Sequence, residues 1–175
     1  MRNFFKEEPI RNPFTRAEID LLWENIDQPL VDSVLIMIYT GCRVGELLDI
    51  KIEHIHLEER WIDLHGTKTK SAKRIVPIHK KIIPLLEKRM TGTYLFETNN
   101  KKITSHMYLE NFFKRMCQAF NMNHKAQDCR HSFEAYAAAS KLDKTLVKRI
   151  MGQSTIDLTA VSVEDLIKEI DKLEL

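Results

Sequence analysis

Apolar positions recur along the chain first at helical spacing, then in short strand-like runs, then at helical spacing again. Thr15-Arg-Ala-Glu18 has the form of a capping box, with Phe14 and Ile19 where a hydrophobic staple would close it, and predicts a helix from there to about Asn25. Leu30, Val34, Leu35 and Ile38 lie at helical spacing in a stretch that is apolar almost all round, which predicts a buried central helix over 30–39. Thr40-Gly41 ends it, and a further helix is expected from Arg43 to about Asp49. From Glu53 the pattern changes to short runs around Ile55 and Leu57, over Trp61–Leu64 and over Arg74–Pro77, which predict a small antiparallel sheet with a basic loop, 66–73, at one end.

Helical periodicity returns over 79–90, over 105–120 (Leu109, Phe112, Phe113, Met116, Phe120), over 128–140 and over 144–151. A polar, hairpin-like stretch separates the first two at Thr98–Lys102. A last helix is expected over 163–173, with Leu166, Ile167, Ile170 and Leu173 on one face. The fold class is therefore mainly α with a small antiparallel β-sheet, an α+β arrangement in the order helices, sheet, helices.

A chain of 175 residues that is 43% hydrophobic suits one buried core and is short for two. Its charges nearly balance, at +2 net, so any case for an anionic partner must come from local clusters of Lys and Arg. Cys42, Cys117 and Cys129 form no CxxC and have no metal-ligand spacing, so neither a disulfide framework, nor a metal, nor a cofactor is expected, and a reducing, cytoplasmic location fits. The charged N-terminus is unlike a signal peptide, and no run approaches the ~20 apolar residues that span a bilayer, so no membrane association is expected.

Four clusters could carry chemistry. In Thr40-Gly-Cys-Arg43-Val-Gly-Glu46-Leu, an arginine follows a glycine break, with Glu46 one helical turn on; Arg43 could fork a phosphate or a carboxylate, or simply pair with Glu46 at the surface. Lys68, Lys70, Lys73 and Arg74, beside Thr67 and Thr69, crowd one sheet connection and read either as phosphate contacts or as a solvated turn guarding a sheet edge. Gln127-Asp-Cys-Arg130-His131 opens a helix, and Met151-Gly152-Gln153 closes the next, where Gly152 also suits a C-terminal cap.

The four together, in this order, resemble the catalytic domain of the tyrosine recombinases. The wording GTKTKSAKRIVPIH, QDCRHSF and KRIMGQS is similar to phage-type integrases of phages and conjugative transposons in low-GC Gram-positive bacteria. The resemblance runs from about Phe14 to the end. It implies the DNA breaking-rejoining fold over 14–175, with 1–13 an extension and the family's N-terminal core-binding domain absent. In the family, two arginines stabilise the pentavalent phosphate and a hairpin lysine protonates the leaving oxygen. By motif these are Arg43, Arg130 and Lys68, with Lys70, Lys73, Arg74, Gln127, His131 and Gln153 as further DNA contacts.

The chain departs from the pattern at three places. Gln127 and Gln153 stand where histidines are usual; an amide can still donate to a phosphate oxygen but cannot exchange a proton near neutral pH. The tyrosine nucleophile expected after Gly152 is missing, since 156–165 reads Ile-Asp-Leu-Thr-Ala-Val-Ser-Val-Glu-Asp, as if a few residues between Thr159 and Ser162 were removed. Ser162 reads as the N-cap of the last helix. Tyr136 lies roughly 240° around its helix from Arg130; Tyr39, Tyr94 and Tyr108 match no catalytic position, and His124 is out of register to replace a lost histidine. The expectation is a binder of double-stranded DNA that lacks cleavage. Its alternatives are an active recombinase with an unrecognised or trans-supplied nucleophile, or a protein-interaction module. A homo-oligomer, or a complex with a full-length recombinase through the last helix, is the further partner expected.

Overall fold

The computed structural model describes residues 11–64, 73–153 and 161–175. Its first helix, α1 (Arg16–Glu24), starts at the capping box: Glu18 N–H donates to the Thr15 hydroxyl and Thr15 N–H to the Glu18 carboxylate at 2.7 Å. Phe14 and Ile19 are both fully buried, as a staple requires. The central helix α2 (Val31–Thr40) is buried at every position and packs most extensively against α7 (Gln127–Ala139). Its one acidic residue, Asp32, is matched by Arg89, whose guanidinium also lies 4.3 Å over the Phe96 ring. Gly41 ends α2 at φ 65°, and a Cβ there would meet the Phe133 ring at 2.6 Å, so glycine is required by conformation and by the approach of α7.

After α3 (Val44–Asp49) comes the antiparallel sheet β1 (Ile55–His56), β2 (Trp61–Leu64) and β3 (Arg74–Pro77), in that order. Ile62 faces Val76 and Leu64 faces Arg74, which places Arg74 on the buried side of the pleat with Val76. The helix expected over 79–90 is a 3₁₀ turn, Lys80–Ile82, followed by the short α4 (Ile83–Glu87), with Pro84 in its first turn. β4 (Glu97–Thr98) and β5 (Lys101–Lys102) form a tight hairpin through Asn99 and Asn100, both at positive φ.

The long helix expected over 105–120 is α5 (Ser105–Met107), a π-helical segment (Tyr108–Phe113) and α6 (Lys114–Ala119). Hydrogen bonding five residues apart lets Tyr108 and Phe113, also five apart, both reach the core. α8 (Lys144–Ile150) follows α7, capped by the Asp143 carboxylate, and α9 (Val163–Ile170) closes the fold.

The apolar face of α9, expected to meet a partner, packs on this chain's own core in the single chain. Leu166, Ile170 and Leu173 are buried within this chain, α9 lies against β3, and Ile167 alone of the four is half-buried. Polar contacts hold the same segment in place. Arg60 forks Asp171 at 2.5 and 3.0 Å, Lys81 donates to the Leu175 carbonyl, and Asp143 N–H donates to buried Glu169 at 2.6 Å. No described helix is long and apolar enough to cross a membrane.

Candidate functional site

The end of α8 shows how the four sequence clusters meet. A helix leaves its last four carbonyls without intrahelical partners. Here Gly152, at φ 65°, completes a Schellman turn in which Gln153 N–H donates to Lys148 O at 2.8 Å and Gly152 N–H to Arg149 O at 2.9 Å. The next two carbonyls are taken by arginines from elsewhere: Arg74 Nε donates to Ile150 O at 2.6 Å and Arg130 Nη2 to Met151 O at 2.5 Å. Cations are favourable at this negative end of a helix.

Arg130 sits in the first turn of α7 and is only 3% exposed; its Nη1 donates to the carbonyl of Gly41 at 2.6 Å. One guanidinium thus ties the first, third and fourth clusters together. Arg74 does the same for the second: its terminal nitrogens fork the Glu46 carboxylate at 2.8 and 3.0 Å while its Nε holds α8. Glu46 also accepts from Arg43 twice, from its N–H at 2.8 Å and from Nη1 at 3.1 Å. The surface pair read from the sequence is therefore one arm of an Arg–Glu–Arg array whose carboxylate is almost enclosed.

The electrostatics follow from this crowding. Burial works to raise the Glu46 carboxyl, but Arg74 and then Arg43 outweigh it and hold the group down to about 2. Burial, then repulsion from Arg43 and Arg74, lowers Arg130 to about 10. It stays protonated at neutral pH, against the opposition of its neighbours. Among the described residues, three guanidiniums against one carboxylate leave this cluster with two surplus positive charges, and the Arg43 side chain, 49% exposed, opens it to solvent. Cys42 lies in the same field, but burial raises its thiol to about 11, so it is not a thiolate nucleophile.

Gln127 and Gln153 are exposed at the two helix ends that Arg130 joins, His131 is half-buried, and Lys73 is exposed. Lys68 and Lys70 lie outside the described residues, as does most of the stretch expected to carry the nucleophile. Arg74, expected among the loop's DNA contacts, is 8% exposed and bound to Glu46 and Ile150, with strand alternation turning it inward.

Other candidates are engaged elsewhere. Tyr136 donates to Phe14 O at 3.1 Å, Tyr108 shares a hydrogen bond with Ser33, and Tyr39 reaches Leu175 O. Ser162 caps α9 through Asp165. His124 stacks on Phe14 and contacts Glu18 and Asp128. The carbonyls of Gly41, Ile150 and Met151 were not found from sequence, since every residue carries one and no side-chain signal marks it. Among the described residues no group of His, Cys, Asp and Glu could hold a metal ion.

A model of the phage integrase family matches residues 14–163. Tyrosine recombinase XerA of Pyrococcus horikoshii is 24% identical, over 88% of this chain and 60% of its own. XerA of Thermococcus kodakarensis is 27% identical, over 81% of this chain and 54% of its own. The chain thus spans about 60% or less of the length of these relatives. Among solved structures, the fold is similar to the Tn1549 transposon integrase in complex with circular intermediate DNA. The TM-score is 0.72 at 19% identity, over 87% of this chain and 61% of that one. A lambda integrase tetramer bound to a Holliday junction superposes with a TM-score of 0.68 at 18% identity, over 87% of this chain and 50% of that one.

Proposed function

The chain belongs to the phage integrase family, and from that premise we propose that it binds double-stranded DNA by its phosphate backbone and does not cleave it. The observation that carries the binding half is the cluster of Arg43, Arg74 and Arg130 around a single carboxylate. Burial and then repulsion from Arg43 and Arg74 lower Arg130, and a phosphodiester placed there would relieve the repulsion. Arg43 offers an exposed guanidinium; Arg130, with one proton of each terminal nitrogen given to a carbonyl, meets the phosphate with those that remain. Lys68 is assigned the leaving-oxygen position of the family, Lys70 and Lys73 the flanking backbone, and Gln127 and Gln153 single hydrogen bonds to phosphate oxygens. His131 supports Arg130 from the next position. The solved relatives that carry DNA support DNA as the ligand class.

The second half rests on what a covalent step needs. Strand cleavage by this family forms a bond from a tyrosine oxygen to phosphorus, and no tyrosine follows Tyr136 in this sequence. The hydroxyls of Tyr39, Tyr108 and Tyr136 are engaged in contacts of their own, and that of Ser162 in a helix cap. Glutamines in place of two histidines remove proton transfer as well.

The test is incubation with a nicked suicide DNA duplex followed by a denaturing gel. The expected result is no covalent protein–DNA adduct under conditions where the duplex is bound. An adduct mapped to any residue of this chain restores the enzyme reading.

A further inference from the structure

We infer that Arg74 is a positioning residue for the phosphate grip, fixing Arg43 through Glu46 and fixing the Arg130 anchor through the end of α8. The inference rests on the DNA-binding reading above. Arg74 is itself buried: it forks both oxygens of Glu46, and the same two oxygens hold the Arg43 backbone N–H and Nη1. Its Nε holds Ile150 O, one residue before the carbonyl that anchors Arg130. Displacing Arg74 would therefore release Arg43 on one side and the helix end beneath Arg130 on the other. Only a guanidinium has three donors in one plane spaced to serve a carboxylate and a carbonyl together. A lysine at 74 would keep the charge and reach one partner at a time.

The experiment is a double-substitution cycle read by fluorescence anisotropy of a short fluorescein-labelled DNA duplex, on protein shown by circular dichroism to be folded. R74M is expected to weaken binding by about tenfold in the wild-type background and by less in R43A, where only the route through the end of α8 to Arg130 remains. R74K is expected to fall between wild type and R74M. Should R74M fail to fold, R74K alone is carried through the same cycle with the same expectation of non-additivity. Affinity unchanged by R74K and R74M, or a loss of equal size with and without Arg43, overturns the positioning role and assigns Arg74 to stability alone. Binding that is absent in the wild type, or indifferent to R43A, overturns the DNA-binding reading itself and the inference with it, so the two failures are told apart by the R43A column.

Discussion

Arg130 is a cation held almost out of water by two carbonyl oxygens, with two other guanidiniums close enough to oppose its charge. Replacing it with alanine leaves the Gly41 and Met151 carbonyls without those donors, at about 1–3 kcal/mol for each buried group. R130A should lower the urea midpoint accordingly, and R130K should not restore it, since an ammonium does not span the two carbonyls. A midpoint equal to wild type in R130A would show that the stitch is not structural. Gly41→Ala adds a Cβ at positive φ, 2.6 Å from Phe133, and should cost at least about 1–3 kcal/mol in the same assay. At this scale the sequence was readable where chemistry is local. The Arg43–Glu46 spacing predicted a contact that is present. The burial of Arg74 was not legible because it stands where a loop meets a strand, and its partners Glu46 and Ile150 come from 28 and 76 positions away. Strand alternation with Val76 was the signal that could have turned it inward.

Elements were legible where an apolar stripe and a cap agree, as in α1 and α9, or where the run is apolar all round and ends at a glycine, as in α2. The π-helical turn was not, because a helical period cannot reveal one extra residue in a turn. Nor does an amphipathic face say which chain will cover it. The stripe of α9 predicted burial, and in the single chain Leu166 and Ile170 are fully enclosed by this chain's own core. Leu166→Ala should therefore cost about 2–5 kcal/mol, with an unfolding midpoint independent of protein concentration. A midpoint that rises with concentration would mean that α9 is completed by a second chain.

For the molecule as a whole, His79 and Glu46 contribute most visibly to the response to acid, beside Glu18 and Asp171, whose carboxyls are also held down. Burial is the main cause that lowers His79 from 6.5 to about 4; Asp171 opposes it, and nearby Lys81, Lys80 and Arg60 add to it. The unfolded chain therefore takes up that proton first, and stability should fall as pH drops from 6.5 towards 4. Glu46, lowered to about 2 from 4.5, contributes stability that is present above 4.5 and lost as pH falls towards 2. Urea unfolding across that range should show two successive losses, and His79→Gln should remove the upper one. A flat profile between 6.5 and 4 in the wild type would contradict the buried neutral histidine.

The central claim is that the paired arginines grip DNA by its phosphates. Its most direct test is the affinity of wild type and R43A for a fluorescein-labelled duplex, by anisotropy over a series of salt concentrations. A phosphate grip predicts that log affinity falls linearly with log salt, and that removing Arg43 weakens binding and flattens the slope by about one contact's share. Binding that ignores salt, or that R43A leaves unchanged in strength and slope, would contradict the account.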